Sequence, residues 1–230
     1  MEIEFLAGTE YVSKFVQGPK PAYQYIPTWY KELPTPKDSS IKYVDGKLQN
    51  GHLKSCLPFI DALTSGYIQE TWVDIRISND NGFVNYGYES GPQPMAHREK
   101  VSGVIGEVFY PFEFIWSNYW HARLPKGYSL LITHPFNRLD LPFTTMTGVV
   151  DADLFHHTSV GNIPFFIHKG FDGIIPAGTP MFQIFPFRRD KWHSSFPVFD
   201  ADDMERRNRQ IRKYIWSGYR KLFWQKKKYT

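Results

Sequence analysis

The sequence contains one cysteine, Cys56, among its 230 residues. A single thiol excludes an internal disulfide and a zinc site built from several cysteines, and it fits a reducing compartment. The neighbouring Leu57 and Phe59 are apolar, and His52 is the nearest base along the chain. Because a reactive thiol needs a base beside it, this pattern predicts a buried structural cysteine.

Several other signatures are missing. No apolar run approaches the ~18 residues of a membrane-spanning helix, so we expect no transmembrane segment. Residues 1–5 are acidic and lack the apolar core of a signal peptide, so we expect no secretion through one. Neither a glycine-rich phosphate loop nor a Gly-x-Ser-x-Gly elbow is present, and no pattern implies a cofactor.

Alanine is scarce, at 8 residues, whereas Phe, Tyr and Trp together make up 17% of the chain. Low alanine disfavours a helix bundle, and abundant aromatic residues favour sheet. With 42% hydrophobic residues the chain can bury a core, which excludes the disordered class. The composition therefore predicts a mainly β protein.

Positive charge is concentrated in one part of the chain. Residues 204–230 hold 10 Lys/Arg and 1 Glu, a charge of +9. The remaining residues hold 17 basic and 22 acidic side chains, a charge of −5, so the net +4 combines an acidic body with a basic tail. An electrostatic partner is therefore expected at the tail.

Alternation of apolar and polar residues predicts a series of strands. The clearest pair is a hairpin over residues 71–89, with Asp80-Asn81-Gly82 as its turn. Residues 90–100 are polar and contain two prolines, which indicates a loop. Further strands are expected at residues 3–5, 112–116, 128–133, 144–150, 163–168 and 181–187.

Residues 1–199 are expected to form a single β-rich domain. Within it, residues 18–40 hold five prolines among aromatic residues and predict an extended arm, packed on its own domain or on a neighbouring subunit. Residues 200–230 begin with three aspartates that can cap a helix, and apolar residues then recur on one face. This pattern predicts one basic amphipathic C-terminal helix of roughly six turns.

Residues 127–189 contain two motifs in a particular order. Gly148-Val149-Val150-Asp151 leads from a strand into a turn, and the sequence IPAGTPMFQI at 175–184 leads from a turn into another strand. In order and spacing this stretch resembles the dUTPase and dCTP deaminase superfamily, with its G-V-I-D hairpin and its closing I-x-x-G-x-x-I-A-Q-L strand. The resemblance implies a dUTPase-like (β-clip) barrel or sandwich.

The same resemblance implies roles for particular residues. Asp151 would be the general base, and Asn137, Arg138 and Asp153 would contact an anion or substrate. The serines that hold phosphate in that family, its C-terminal glycine-rich motif and the glutamate of the deaminases have no counterpart here. Arg138 also has a purely structural interpretation, as the partner of Asp140 within a turn.

A second resemblance covers more of the chain. It is carried by the phrases YIPTWYKELP at 25–34, KSCLPFIDALTSGYI at 54–68, GYSLLITHPFNR at 127–138 and IPAGTPMFQIFPFRRDKW at 175–192. These phrases resemble an uncharacterised protein family of large tailed phages. The resemblance implies a viral source and a place in the host cytoplasm or the virion.

His134, His156 and His168 are candidate metal ligands, together with nearby aspartates. Adjacent side chains on a strand point to opposite faces, so His156 and His157 cannot both be ligands on one strand. No metalloprotease or facial-triad spacing is present, which favours ordinary polar and core histidines.

The basic tail carries the candidate partner-binding residues Arg212, Lys213, Arg220, Lys221 and Trp224. Bases can stack on aromatic rings while cations contact phosphates, so nucleic acid is one candidate partner. The same pattern suits an anionic membrane surface, the acidic body of a neighbouring subunit, or packing on its own domain.

Taken together, these observations predict a phage-encoded, non-enzymatic structural, assembly or binding protein. We expect it to form a homo-oligomer or to bind other phage proteins. The alternative is a nucleotide- or small-molecule-processing enzyme of the dUTPase-like fold with degenerate motifs.

Overall fold

The structure is a computed structural model that describes residues 1–34, 43–44, 47–48, 53–80, 83–100, 105–155, 160–214 and 218–230. The strands are β1 (Glu4–Ala7), β2 (Lys20–Pro21), β3 (Tyr43–Val44), β4 (Lys47–Leu48), β5 (Tyr67–Glu70), β6 (Ile75–Asp80), β7 (Phe83–Gly87), β8 (Met95–Lys100), β9 (Phe112–Asn118), β10 (Trp120–Arg123), β11 (Tyr128–Thr133), β12 (Phe143–Thr145), β13 (Gly148–Val150), β14 (Gly161–Ile167), β15 (Gly173–Ile175) and β16 (Pro180–Arg188). The α-helices are α1 (Glu10–Phe15), α2 (Thr28–Glu32), α3 (Leu57–Thr64), α4 (Ile105–Val108), α5 (Ala201–Arg212) and α6 (Gly218–Leu222), and the 3₁₀ turns are Ala22–Tyr25 and Leu53–Ser55.

Two antiparallel sheets contain most of the core strands. The first sheet has the order β13-β11-β16-β5-β2, and the second has the order β12-β14-β9-β8. A three-stranded sheet, β15-β6-β7, and the pairs β1-β10 and β3-β4 are the remaining described sheets. The mainly β class is therefore confirmed. Among the described strands each sheet has open edges, so the barrel alternative is wrong.

Aromatic side chains fill the space between the two main sheets. The rings of Trp116 and Phe165 stack in parallel with centroids 3.7 Å apart, and Phe143 packs edge-on against both. All three are fully buried. Trp116 Nε1 donates a hydrogen bond to Thr145 Oγ1 at 3.1 Å, and that hydroxyl donates to the Met181 carbonyl at 2.6 Å. This chain of bonds joins the second sheet to the first and satisfies the polar atoms buried there.

Several strand predictions are confirmed. The hairpin over 71–89 is β6 paired with β7, where Asp80 lies opposite Phe83; the turn residues 81–82 lie outside the described residues. Predicted strands at 3–5, 112–116, 128–133, 163–168 and 181–187 correspond to β1, β9, β11, β14 and β16.

One loop prediction and one strand prediction are wrong. Residues 95–100 are not a loop but β8, which pairs with β9 at the edge of the second sheet. An edge strand keeps one side in water, and this tolerates the polar composition that suggested a loop. The predicted strand 144–150 is two strands, since β12 belongs to the second sheet and β13 to the first. The chain crosses between the sheets at residues 146–147.

Cys56 is exposed, so the prediction of a buried cysteine is wrong. It occupies the cap position before α3, where the helix starts at Leu57 with Pro58 in its first turn. The apolar residues that suggested burial, Leu57 and Phe59, are half-buried within the helix, while the residue before the helix remains at the surface.

The described part of the N-terminal arm, residues 18–34, packs on its own domain. Strand β2 pairs with β5, and the Ala22 N–H donates to the Gly66 carbonyl at 3.0 Å. Lys20 Nζ and the Tyr25 hydroxyl both donate to Glu70, at 2.6 and 2.7 Å. Residues 35–40 of the predicted arm lie outside the described residues.

The C-terminal segment is not one six-turn helix, so that prediction is wrong. Helix α5 ends at Arg212, α6 covers only Gly218–Leu222, and residues 224–230 are not helical. Asp200 caps α5 by accepting from the backbone N–H groups of Asp202 and Asp203, as the three aspartates predicted. None of the described helices is both long and apolar enough to cross a membrane.

Candidate functional site

Asp151 and Asp153 lie at the turn after β13, beside the start of β11. Asp151 Oδ1 accepts from the Ser129 hydroxyl at 2.6 Å and from Arg189 Nη1 at 3.2 Å. Asp153 is almost completely buried; it accepts from Arg189 Nη1 at 2.9 Å and Nη2 at 2.5 Å, and from the Gly127 N–H at 2.7 Å. Both carboxylates therefore hold the arginine at the end of β16.

This arrangement keeps Asp153 negatively charged beside the Arg189 guanidinium. The Arg189 guanidinium, together with the Gly127 N–H, lowers the pKa of Asp153 to about 2. The carboxylate thus stays anionic and bonded at neutral pH, as in an ion pair that fastens a strand end. Sequence reasoning singled out Asp151 and Asp153 but missed Arg189, which follows its strand 36 residues after Asp153.

Asn137 and Arg138 lie in the turn that follows β11 at its opposite end. Asn137 adopts a left-handed backbone conformation with φ 60°, which asparagine tolerates better than most residues. Arg138 Nε and Nη2 donate to the Asp140 carboxylate at 2.9 and 2.8 Å, and Nη1 donates to the Tyr25 carbonyl at 3.4 Å. The guanidinium therefore closes the turn and contacts the N-terminal arm.

The two groups of predicted site residues do not meet. Asp151 contacts Ser129, the second residue of β11, whereas Arg138 lies beyond Thr133 at the other end of the strand. Thr133 lies four residues after Ser129, a rise of about 14 Å along the strand. A single phosphate group therefore cannot contact both groups at hydrogen-bond distance.

His134 and His168 are both engaged inside the fold. His134 Nδ1 accepts from the Thr145 N–H at 3.2 Å, and its Nε2 lies 3.0 Å from the Arg138 carbonyl. His168 Nε2 lies 3.0 Å from the Thr144 hydroxyl. Burial lowers the pKa of each imidazole.

A metal site has no support in the part of the chain that the structure describes. In that part no group of three or more His, Cys, Asp or Glu side chains is placed to hold an ion. His156, the remaining candidate ligand, lies outside the described residues.

The last residues of the chain pack against α3. The Trp224 indole N–H and Lys227 Nζ both donate to Asp61 Oδ2, at 2.9 and 2.7 Å. The Tyr229 ring contacts the rings of Tyr67 and Phe185 on the first sheet. The C-terminal residues are therefore attached to their own body by one carboxylate and one aromatic cluster.

A cavity of about 700 Å³ lies between α3 and this C-terminal segment. Its apolar and aromatic lining includes Leu57, Ile60 and Tyr23, and its basic lining comes from Arg220 and from Lys226, Lys227 and Lys228. The volume is in the range of small-molecule sites, about 300–1,000 Å³.

Of the predicted partner-binding residues, Arg220 and Trp224 line this cavity. Lys221 Nζ instead lies 4.6 Å from the centre of the Tyr214 ring, and Lys213 is exposed after α5. Arg212 is the last residue of α5. The structure therefore divides the predicted set between the cavity and the outer surface of the tail.

The segment between β16 and α5 exposes large apolar side chains. Residues 191–199 form neither helix nor strand and are all exposed; we call them the apolar strap. Trp192 is 86% exposed, Phe196 93%, Val198 98% and Phe199 65%. Sequence reasoning did not single out this segment, although the run Phe196-Pro197-Val198-Phe199 without alternation was a visible signal.

Comparison of the sequence with models of protein families finds no match, and comparison with curated proteins finds none either.

Proposed function

We propose that this chain is a non-enzymatic structural, assembly or binding protein that works as an oligomer, and that it is encoded by a large tailed phage and acts in the host cytoplasm or the virion. The observation that carries the oligomer is the apolar strap, residues 191–199. The phage source rests on the four sequence phrases described above. A dUTPase-like core is supported by the motif strands β13 and β16, which both pair with β11.

The exposure of the strap argues for a partner surface. Burying a side chain of the size of Phe or Val contributes about 1.5–3 kcal/mol. The strap leaves Trp192, Phe196, Val198 and Phe199 in water together, and contiguous exposed apolar surface of this kind marks interaction sites. Covering these side chains supplies a driving force for association.

A second copy of the chain is the partner that the charge distribution favours. Residues 204–230 carry a charge of +9 and follow the strap after four residues that include three aspartates, whereas the rest of the chain carries −5. The basic segment of one copy therefore complements the acidic body of another. At about 3.3 Å per residue, the nine strap residues extend about 30 Å, enough to reach a neighbouring molecule. Identical surfaces also pair readily about a twofold axis.

The positions of the predicted catalytic residues support the non-enzymatic interpretation. A general base and an anion-binding group must reach the same substrate at hydrogen-bond distance. Asp151 and Arg138 lie at opposite ends of β11, and each is bonded to another protein side chain.

Light scattering coupled to size-exclusion chromatography tests the oligomer. We expect an oligomeric mass for the wild-type chain and a monomeric mass for the variant W192S/F196S/F199S. The matched control is F83S/L139S/L154S, which removes three apolar side chains that are 70%, 91% and 73% exposed elsewhere. The control variant keeps the oligomer. A monomeric wild type at high micromolar concentration contradicts the proposal, and so does an oligomeric strap variant.

A further inference from the structure

We infer that the cavity between α3 and the C-terminal segment binds a nucleotide, either free or as one unit of a single strand. The cavity joins aromatic and apolar lining to a cluster of cations, and these are the two surfaces that a nucleobase and its phosphates require. The inference is independent of the strap, since every lining residue comes from a single copy.

The aromatic side of the cavity offers a flat, accessible ring. Tyr23 belongs to the 3₁₀ turn Ala22–Tyr25 and is 53% exposed, with Leu57 and Ile60 of α3 lining the same space. A base stacked on Tyr23 would cover an apolar surface that is now in water. Stacking of this kind depends on the ring face and accepts any base.

The basic side of the cavity contains more cations than carboxylates that pair with them. Lys227 is paired with Asp61 at 2.7 Å. Arg220, Lys226 and Lys228 have no carboxylate partner among the described residues. Three unpaired cations around one concave space create a positive field that suits a phosphate group.

The geometry of Trp224 keeps the two sides together. Asp61 accepts from its indole N–H at 2.9 Å, and the Arg220 guanidinium lies 6.0 Å from the ring centroid. Trp224 therefore fastens the tail to α3, and its neighbouring cations line the same cavity as Tyr23. A purely acidic chain such as polyglutamate would contact the cations but has no ring to stack on Tyr23, whereas a nucleotide carries both a phosphate and a base.

Fluorescence anisotropy with a labelled twelve-residue thymidine oligonucleotide at low salt tests the inference. We expect R220Q/K226Q/K228Q to weaken binding at least about tenfold and Y23S to weaken it about fivefold or more. The matched control R206Q/R207Q/R209Q removes three positive charges from the same tail outside the cavity lining. Its affinity stays within about threefold of wild type. Circular dichroism confirms that each variant is folded.

Competition distinguishes the two sources of the nucleotide. Displacement of the probe by a nucleoside triphosphate, at a concentration where inorganic triphosphate does not displace it, indicates a site for the free nucleotide. Displacement by unlabelled oligonucleotide alone indicates a single strand. Four results overturn the inference: no binding to the wild type, equal loss in the control variant, full affinity of Y23S, or equal competition by inorganic triphosphate or polyglutamate.

Discussion

Some single side chains connect separate elements of this fold through hydrogen bonds, and Gln183 on β16 is the clearest example. Its side chain is 1% exposed. The amide nitrogen donates to the carbonyls of Ala62 and Ser65 at 3.1 and 2.5 Å, and the amide oxygen accepts from the Phe136 N–H at 2.7 Å. One buried amide thus connects the end of α3 to the turn that holds Arg138.

We expect Gln183→Leu to lower the free energy of unfolding by about 3 kcal/mol or more, because it leaves buried backbone groups without partners at about 1–3 kcal/mol each. Urea denaturation followed by tryptophan fluorescence measures the change. The control is Gln24→Leu at an exposed position, which we expect to change stability by less than about 0.5 kcal/mol. Equal effects of the two substitutions would show that the buried amide does not have this role.

His134 makes stability depend on pH. Its Nδ1 accepts from the Thr145 N–H, so protonation at that nitrogen removes a buried bond. Burial lowers the pKa of His134 in the folded state below the ordinary value of about 6.5. As the pH falls through about 6.5, the unfolded chain takes up a proton before the folded chain does, and stability declines. It stops declining below the folded-state pKa.

Unfolding curves at pH 7.5 and 5.5 measure this loss. We expect His134→Gln to reduce the difference between the two pH values, whatever it does to stability itself. His97→Gln, at an exposed position on β8, is the control and keeps the wild-type difference. A wild-type difference in H134Q would assign the pH dependence to other groups.

At the scale of elements, attachment of the C-terminal segment depends on α3. Asp61 accepts both from Trp224 and from Lys227, so one side chain holds two residues of the tail. We expect Asp61→Ala to release residues 224–230 and to lower their amide-exchange protection about tenfold or more, since hydrogen bonds to charged groups contribute about 1.5–3 kcal/mol. Hydrogen exchange read by mass spectrometry measures it.

Asp190→Ala is the matched control, because it removes an exposed carboxylate whose one ion-pair partner among the described residues is the nearby Arg188. It leaves exchange at residues 224–230 unchanged. Full protection of these residues in D61A would mean that Tyr229 and its aromatic neighbours hold the segment alone.

The elements also show how far a sequence can lead. Strands β6 and β7 follow alternation on either side of a turn, and β11 follows the turn signal Pro125-Lys126-Gly127, so local pattern was enough to predict them. Strand β8 was missed because its polar residues reflect an edge position, which depends on which strands pair. The split at residues 146–147 was missed for a related reason, since no local signal in residues 144–150 marks the change from one sheet to the other.

The candidate sites show the same limit. Asp151 and Asp153 were predicted from a motif, but their partner Arg189 lies on another strand, and only the pairing of β11 with β16 brings it there. The cavity beside α3 joins residues near 23, 60 and 226, a separation that no local pattern encodes. Arg220 and Trp224 were predicted as partner-binding residues of the basic tail, and the fold brings the Tyr23 ring into the lining of the same cavity.

At the scale of the whole molecule, the two proposals predict different effects of salt on the oligomer and on oligonucleotide binding. Salt screens the attraction between the basic segment and the acidic body but does not weaken apolar burial of the strap, so we expect the oligomer to keep its mass between 0.1 and 1 M sodium chloride. The oligonucleotide affinity should fall steeply over the same range, because phosphate contacts release counterions. Light scattering and anisotropy on one sample series measure both. An oligomer that dissociates at 1 M salt would be held by the charged tail instead.

The chain between Arg189 and Trp224 is fastened at both ends, by Asp153 at one end and by Asp61 at the other. A protease that cuts once within the strap would therefore divide the covalent chain without freeing either piece. The severed C-terminal fragment would stay on α3 as a bound peptide, and the same contacts would allow two separately made halves to reassemble.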